Sequence, residues 1–344
     1  MTSTSFRTDV AIIGAGPVGL FAIFECGMLG MASHVIDVLD VAGGQCTALY
    51  PEKPIYDIPG FPQILGGELI DRLQTQAALF HPVYHLGQQV IELKRLPTDR
   101  WFLGTSAGVG IDAAVVILAA GVGSFGPNRP PLAHIQHFEQ QPAGSGVQYL
   151  VRRRDDYRDR RVVIAGGGDS AVDWAVSLAE IAASVAVVHR RDKFRAAPDS
   201  VQKLRRLAAA GTIELVVPFQ LAGLEGEGKQ LTGVVVRDLD GQTRTLAADV
   251  LLPFFGLSQD LGPIARWGLN LYRNHVAIDP STCSAGSAGV FAIGDIASYP
   301  GKLKLILTGF AEAATAAHAA HPVVHPGEAL HFEYSTTKGV PAAS

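Results

Sequence analysis

Residues Asp9–Gly30 read DVAIIGAGPVGLFAIFECGMLG. A β-branched apolar run passes into Gly14-Ala15-Gly16-Pro17-Val18-Gly19, and apolar residues then recur at helical spacing. That is strand, tight turn and helix. In G-x-G-x-x-G each glycine has a separate task. Gly14 permits the turn, Gly16 lets a diphosphate approach the backbone, and Gly19 lets the helix pack close to the strand. Pro17 opens the helix, whose N-terminus attracts an anion. The next apolar run, SHVIDVL, ends a second strand at Asp37, 23 residues beyond Gly14. A carboxylate there accepts hydrogen bonds from ribose hydroxyls. Asp40 is the alternative at this position.

The pattern occurs twice. Arg161–Ala182 reads RVVIAGGGDSAVDWAVSLAEIA, and SVAVVHR follows. Gly166, Gly168, Asp169 and Ser170 belong to the second glycine turn, a G-x-G-x-x-A. At the offset of 23 residues that holds Asp37 in the first copy, the second has His189, followed by Arg190, Arg191 and Arg195. A carboxylate there would repel a 2′-phosphate, whereas guanidinium groups bind one through charge-assisted hydrogen bonds. The second site is therefore expected to take NADPH in preference to NADH.

A third element separates FAD from NAD at the first site. In GVFAIGDIASYPGKLKLILTGFAEAATAAHAA, a buried strand runs into Gly294-Asp295, then a loop and an alanine-rich helix. An FAD site uses such an aspartate near the ribitol or diphosphate and points the following helix at the flavin. The expected fold is α/β, with two Rossmann-like dinucleotide-binding domains, one inserted into the other. Residues 1–122 and 253–330 are expected to form the FAD domain, 123–252 the NADPH domain, and 331–344 a C-terminal extension. Val115–Gly123 is an apolar strand ending in small residues and Leu251–Ser258 matches it; both are read as crossings between domains, and the stretch from His321 onward as a tail.

Composition excludes several classes. Of 344 residues, 48% are hydrophobic and 17% charged, which rules out a mostly disordered chain. The uncharged run 113–128 is broken by glycines and a proline, so no membrane span is expected. The net charge of −4 does not suit a nucleic-acid binder. Residues 123–252 hold 17 Lys and Arg against 15 Asp and Glu, so the insert is basic and the remainder acidic. Cys26, Cys46 and Cys283 form no C-x-x-C pair, which suits a reducing compartment. The opening MTSTSFRTDVAIIGAG leaves no room for a signal peptide before the first strand, so a cytoplasmic protein is expected. No metal site or Ser-His-Asp constellation is found among the 11 histidines, most of which are expected at the surface or at caps.

The order G-x-G-x-x-G, Gly43-Gly44-Gln45, G-G-G-D-S-A, H-R-R-x-x-F-R and G-D resembles the thioredoxin reductase-like flavoproteins over nearly the whole chain. The disulfide enzymes of that group carry a C-x-x-C, which is missing here. Others use C-x-x-x-x-C beside the flavin. Cys46 matches its first position, but Pro51 stands at the second, so a two-thiol relay is chemically unavailable. The chain is most similar to the thioredoxin reductase-like ferredoxin (flavodoxin)–NADP reductase family. Further shared motifs are Leu49-Tyr50-Pro51-Glu52-Lys53, Tyr56–Pro62 and Tyr334-Ser335-Thr336-Thr337-Lys338.

The resemblance implies FAD and NADPH/NADP+ as cofactors, ferredoxin or flavodoxin as partner, and a homodimer. It places Tyr50 on one flavin face and Tyr334 on the other, from the partner subunit, with His331 or Phe332 as alternatives and Ser335 and Thr336 near the reactive edge. Gly44, Gln45, Val90, Gly121, Phe125 and Asp295 join the expected FAD contacts. A basic rim from Arg152–Arg161 or from Lys302 and Lys304 is expected to steer an acidic partner, with a place lining the flavin loop as the alternative for the two lysines. Another NADPH-dependent flavin reductase, a thioredoxin reductase and a redox-sensing flavoprotein remain as alternatives.

Overall fold

The computed structural model describes residues 5–139, 141–330 and 339. The chain divides into two compact units, 1–125 with 259–344, and 126–258. These limits lie a few residues beyond those drawn from the sequence.

In the first unit the opening strand, Ser5–Ile13, is flanked by parallel strands Ser33–Ile36 and Gly110–Leu118, with Ile13 opposite both Ile36 and Leu118. Val83–His85 extends one edge, and Val290–Ala292 pairs parallel with Gly110–Leu118. Trp101–Thr105 and Val90–Arg95 continue the sheet antiparallel. The central strands are near-continuous apolar runs because both faces are covered. Val10, Ile12, Val115 and Ile117 pack in one core cluster, and Ala11, Val116 and Leu118 in another.

The helix Pro17–Met28 packs against the C-terminal helix Ile306–Val324 in the first of these clusters. Alanines 313, 316, 317 and 320 are fully buried. Their small side chains allow close approach. The stretch read as a tail from His321 is partly wrong, because the helix runs on to Val324 with Pro322 inside it. Pro322 forfeits one backbone donor only in the last turn, where buried Ala320 and His321 and the His325 N–H to His321 carbonyl bond hold the chain.

The second unit repeats the plan. Its parallel sheet has the order Gly146–Val147, Val250–Pro253, Arg161–Ala165, Ser184–Val188, Ile213–Val216. An antiparallel meander of Gln220–Glu227, Gln230–Arg237 and Thr243–Ala247 completes it. Val115–Leu118 closes the strand Gly110–Leu118, as its apolar run suggests, and Leu251–Pro253 lies in the strand Val250–Pro253, so the crossings begin only after them. The connecting segments are Ser124–Pro127 and Leu257–Asp260, which pair with each other. Among the described residues no helix is long and apolar enough to cross a membrane.

Candidate functional site

A cavity of about 260 Å³ opens in the first unit where its central strands end. Gly14, Gly16 and Pro17 form its floor. Gly14 has φ +112°, and a Cβ on it would lie 2.3 Å from the Ala119 carbonyl oxygen. No other residue fits there. Gly16 caps the helix Pro17–Met28. Opposite it stands Gly44, on which a Cβ would come 3.0 Å from the Gly16 Cα. Backbone thus faces backbone with no side chain between. Two helix N-termini reach the cavity, through Pro17 and Val18 and through Leu305 and Ile306. Their partial positive charge favours an anion.

Asp37 lines the cavity and is 9% exposed. Its Oδ2 accepts the Ala15 N–H at 2.6 Å and its Oδ1 accepts the Leu39 N–H at 2.8 Å. The carboxylate thereby ties the glycine turn to the end of the next strand. Each oxygen keeps a second lone pair for a hydroxyl donor. Burial pushes its pKa above the usual carboxylate range, while the hydrogen bonds from Leu39 and Ala15 pull it back. Asp40 is exposed and is not part of the wall.

Gln45, Tyr50, Val90, Gly121 and Asp295 all line the same cavity. The Cys46 thiol donates to the Tyr50 hydroxyl across 3.8 Å. Burial raises the Tyr50 phenol above its ordinary range, and Cys46 and Asp295 add to the rise. Burial also pushes the Cys46 thiol up to about 11. It is a protonated thiol at neutral pH and a poor nucleophile.

Sequence reading missed a whole wall of this cavity, made by Leu261, Pro263, Ile264 and Trp267. Leu261, Ile264 and Trp267 recur every third residue, the spacing of the 3₁₀ turn Gly262–Arg266 that carries them. The Trp267 indole nitrogen is buried and has no partner among the described residues. A glycine cradle at a helix N-terminus, a carboxylate at the strand end and the Tyr50 ring on the wall together fit FAD. A flavin dinucleotide supplies diphosphate oxygens, ribose hydroxyls and a flat ring system for them.

The second unit builds the matching turn. Gly166 N–H bonds to Val188 O at 3.1 Å, as Gly14 N–H bonds to Ile36 O at 2.8 Å, so His189 and Asp37 are structural counterparts. The His189 ring lies over the turn, and a Cβ on Gly167 would come 2.3 Å from its Nε2. Burial holds His189 below its ordinary pKa. The Arg195 N–H donates to Gly167 O at 2.7 Å, and the Ala197 N–H donates to Asp169 Oδ1 at 2.9 Å. These bonds stitch the arginine-bearing loop to the glycine turn. Gly168 caps the helix Asp169–Leu178, with nothing within 4 Å of where a Cβ would stand. Ser170, Arg190, Arg191 and Arg195 are exposed.

Two expectations change. Lys302 is not a rim residue: its side chain is 6% exposed and its ammonium pairs with Glu312. Within Arg152–Arg161, Arg154, Arg158 and Arg161 pair with Glu180, Asp155 and Asp249, so much of that charge is neutralised locally. His34, His85 and His321 are buried, and the other described histidines are exposed or half-buried, in line with most being expected near the surface. Lys304 does line the cavity, and its Nζ sits 2.7 Å from His275 Nε2. Phe125 lies on a connecting strand whose side chains are not described. Tyr334 and Thr336, with His331, Phe332 and Ser335, lie outside the described residues.

The family described as "Pyridine nucleotide-disulphide oxidoreductase" matches residues 8–320. A Paramagnetospirillum magneticum protein named ferredoxin--NADP reductase is 62% identical, covering 97% of this chain and 98% of its own. A Rhodospirillum rubrum protein of the same name is 59% identical, covering 98% of each. The crystal structure of T. acidophilum thioredoxin reductase has the same fold, with a TM-score of 0.78 and 24% identity, covering 92% of this chain and 98% of that one.

Proposed function

The chain belongs to the pyridine nucleotide-disulphide oxidoreductase family, and from that premise we propose that it is an FAD-dependent ferredoxin (flavodoxin)–NADP+ reductase. Gly14, Gly16, Pro17, Asp37, Gly44, Gln45, Val90, Gly121 and Asp295 hold the FAD, with Gly19 packing the helix beneath it and Phe125 beside it. Bound there, FAD would supply hydride exchange with a nicotinamide and one-electron exchange with a small redox protein. Tyr50 offers an aromatic face to the isoalloxazine, and Tyr334 and Thr336 of the C-terminal extension cover the other side from a second subunit, which makes the working unit a homodimer. Gly166, Gly168, Asp169 and Ser170 seat the NADPH diphosphate, and His189, Arg190, Arg191 and Arg195 hold its 2′-phosphate. The protein works in the cytoplasm.

The observation that carries this reading is the wall of the first cavity. It joins a glycine cradle to an aromatic ring and to a single thiol, Cys46, held protonated by burial. Cys26 and Cys283 are also free and buried. Electrons that reach this cavity have no dithiol to pass through, so they leave for an outside carrier. Positioning does most of the catalytic work in such a transfer, and no acid–base pair is required.

The test is an anaerobic titration of the purified protein with NADPH, followed by ferredoxin or flavodoxin. Bleaching of bound flavin by NADPH and recovery of its colour on adding the carrier are expected. A protein that isolates without flavin and takes none up, or whose reduced flavin is not reoxidised by either carrier, overturns the proposal.

A further inference from the structure

Glu312 is the single acidic residue of the helix Ile306–Val324 and is 6% exposed. A carboxylate set among buried alanines is unfavourable unless its oxygens are partnered. Here they receive three donors. Oε2 accepts the Gly294 N–H at 2.7 Å, and Oε1 accepts the Tyr299 hydroxyl at 2.7 Å and the Lys302 ammonium. Lys302 also lies 5.4 Å over the Tyr299 ring. Glu312, Tyr299 and Lys302 do not line the cavity, but the residues they hold lead directly into it. Asp295 follows Gly294, and Lys304 and Leu305 follow Lys302.

Stability alone gives weak reason for this arrangement, since a buried ion pair is often no better than apolar packing of the same shape. The Gly294 N–H explains it better. Gly294 turns the chain at φ +73°, and its amide is buried. That amide needs an acceptor. The acceptor this amide has is the Glu312 side chain, while the Glu312 carbonyl takes the Cys283 thiol at 3.6 Å.

We propose that Glu312 is a positioning residue for FAD: it sets the Gly294-Asp295 turn and the Tyr299–Leu305 loop at the cavity wall before the cofactor arrives. The role rests on the reading of this cavity as the FAD site.

Two double variants separate positioning from charge burial. Glu312→Gln with Lys302→Met keeps an acceptor oxygen for Gly294, and Glu312→Leu with Lys302→Met does not. Both remove the same two charges. FAD affinity is read by titrating FAD into each apoprotein and following flavin fluorescence. The Gln form is expected within about threefold of wild type and the Leu form about 10- to 100-fold weaker. Equal affinity in the Leu form and wild type, or equal weakening in both doubles, overturns the role. Hydrogen exchange of wild-type apoprotein tests the same point without substitution. The Gly294 amide is expected to be protected before FAD is added, and rapid exchange there overturns the role. A wild-type apoprotein that binds no FAD overturns the cavity assignment and this role with it.

Discussion

Replacing Arg190 and Arg191 together by alanine removes two guanidinium groups from the loop that follows the strand Ser184–Val188. Both side chains are exposed. The carboxylate next to them in sequence, Asp192, is already taken by Arg205 at 3.0 Å. On the proposed reading a 2′-phosphate would meet these arginines without breaking an ion pair of theirs among the described residues or desolvating a buried charge. Exposure also lowers what each contact contributes, to about 1–1.5 kcal/mol, below the usual range for a hydrogen bond to a charged group. The pair then contributes about 2–3 kcal/mol, or about 30- to 150-fold in kcat/KM for NADPH. NADH has no phosphate at this position and is expected to change by no more than about twofold. The assay is steady-state reduction of ferricyanide, a small acceptor that needs no docking, with each nucleotide in turn. Raising the ionic strength is expected to narrow the wild-type gap between the nucleotides. Equal loss with both nucleotides would mean a damaged fold rather than a lost phosphate contact. An unchanged ratio would refute the assignment outright.

Other perturbations address the first unit and the fold. Gly14→Ala sets a Cβ 2.3 Å from the Ala119 oxygen at φ +112°; we expect about 3 kcal/mol or more of lost stability in urea melts, together with loss of bound flavin. Cys46→Ala removes the only thiol lining the cavity among the described residues, and turnover with ferredoxin is expected to stay within about threefold of wild type; a loss of tenfold or more would restore a thiol to the electron path. Burial holds His34, His85 and His189 below their ordinary value of 6.5. The unfolded chain then takes up protons first as pH falls, so stability is full above about pH 6.5 and declines from there towards the depressed folded values. Denaturant melts of the apoprotein across about pH 5–8 check this, and stability that rises on acidification through that window contradicts it.

The features legible in the sequence are those whose cause is local. A glycine turn between a strand and a helix is dictated by neighbours in the chain, so Gly14–Gly19 and Gly166–Ala171 were readable at once. The comparison of Asp37 with His189 was equally readable, because two parallel strands of one plan end at the same offset. The Leu261–Trp267 wall and Glu312 were not read. Their signals were present, a three-residue apolar spacing and one carboxylate in an alanine-rich helix. Neither spacing nor composition, however, says which distant segment such residues meet. Lys302 was misjudged for the same reason: a lysine in a polar loop reads as surface until its buried partner, 10 residues away, is known.

The sequence by itself determined that the chain makes two nucleotide-binding strand–turn–helix units, that one offers a carboxylate and the other cations at the matching strand end, and that no paired thiols exist. Backbone sterics and charge sign decide those matters over a few residues. Only the tertiary structure decided that Asp37 braces the glycine turn through Ala15, that residues after the second connection wall the first cavity, and that a buried Lys302–Glu312 pair holds the Gly294 turn. Those contacts join segments from 10 to more than 200 residues apart, and their energies appear only when packing removes water from between them.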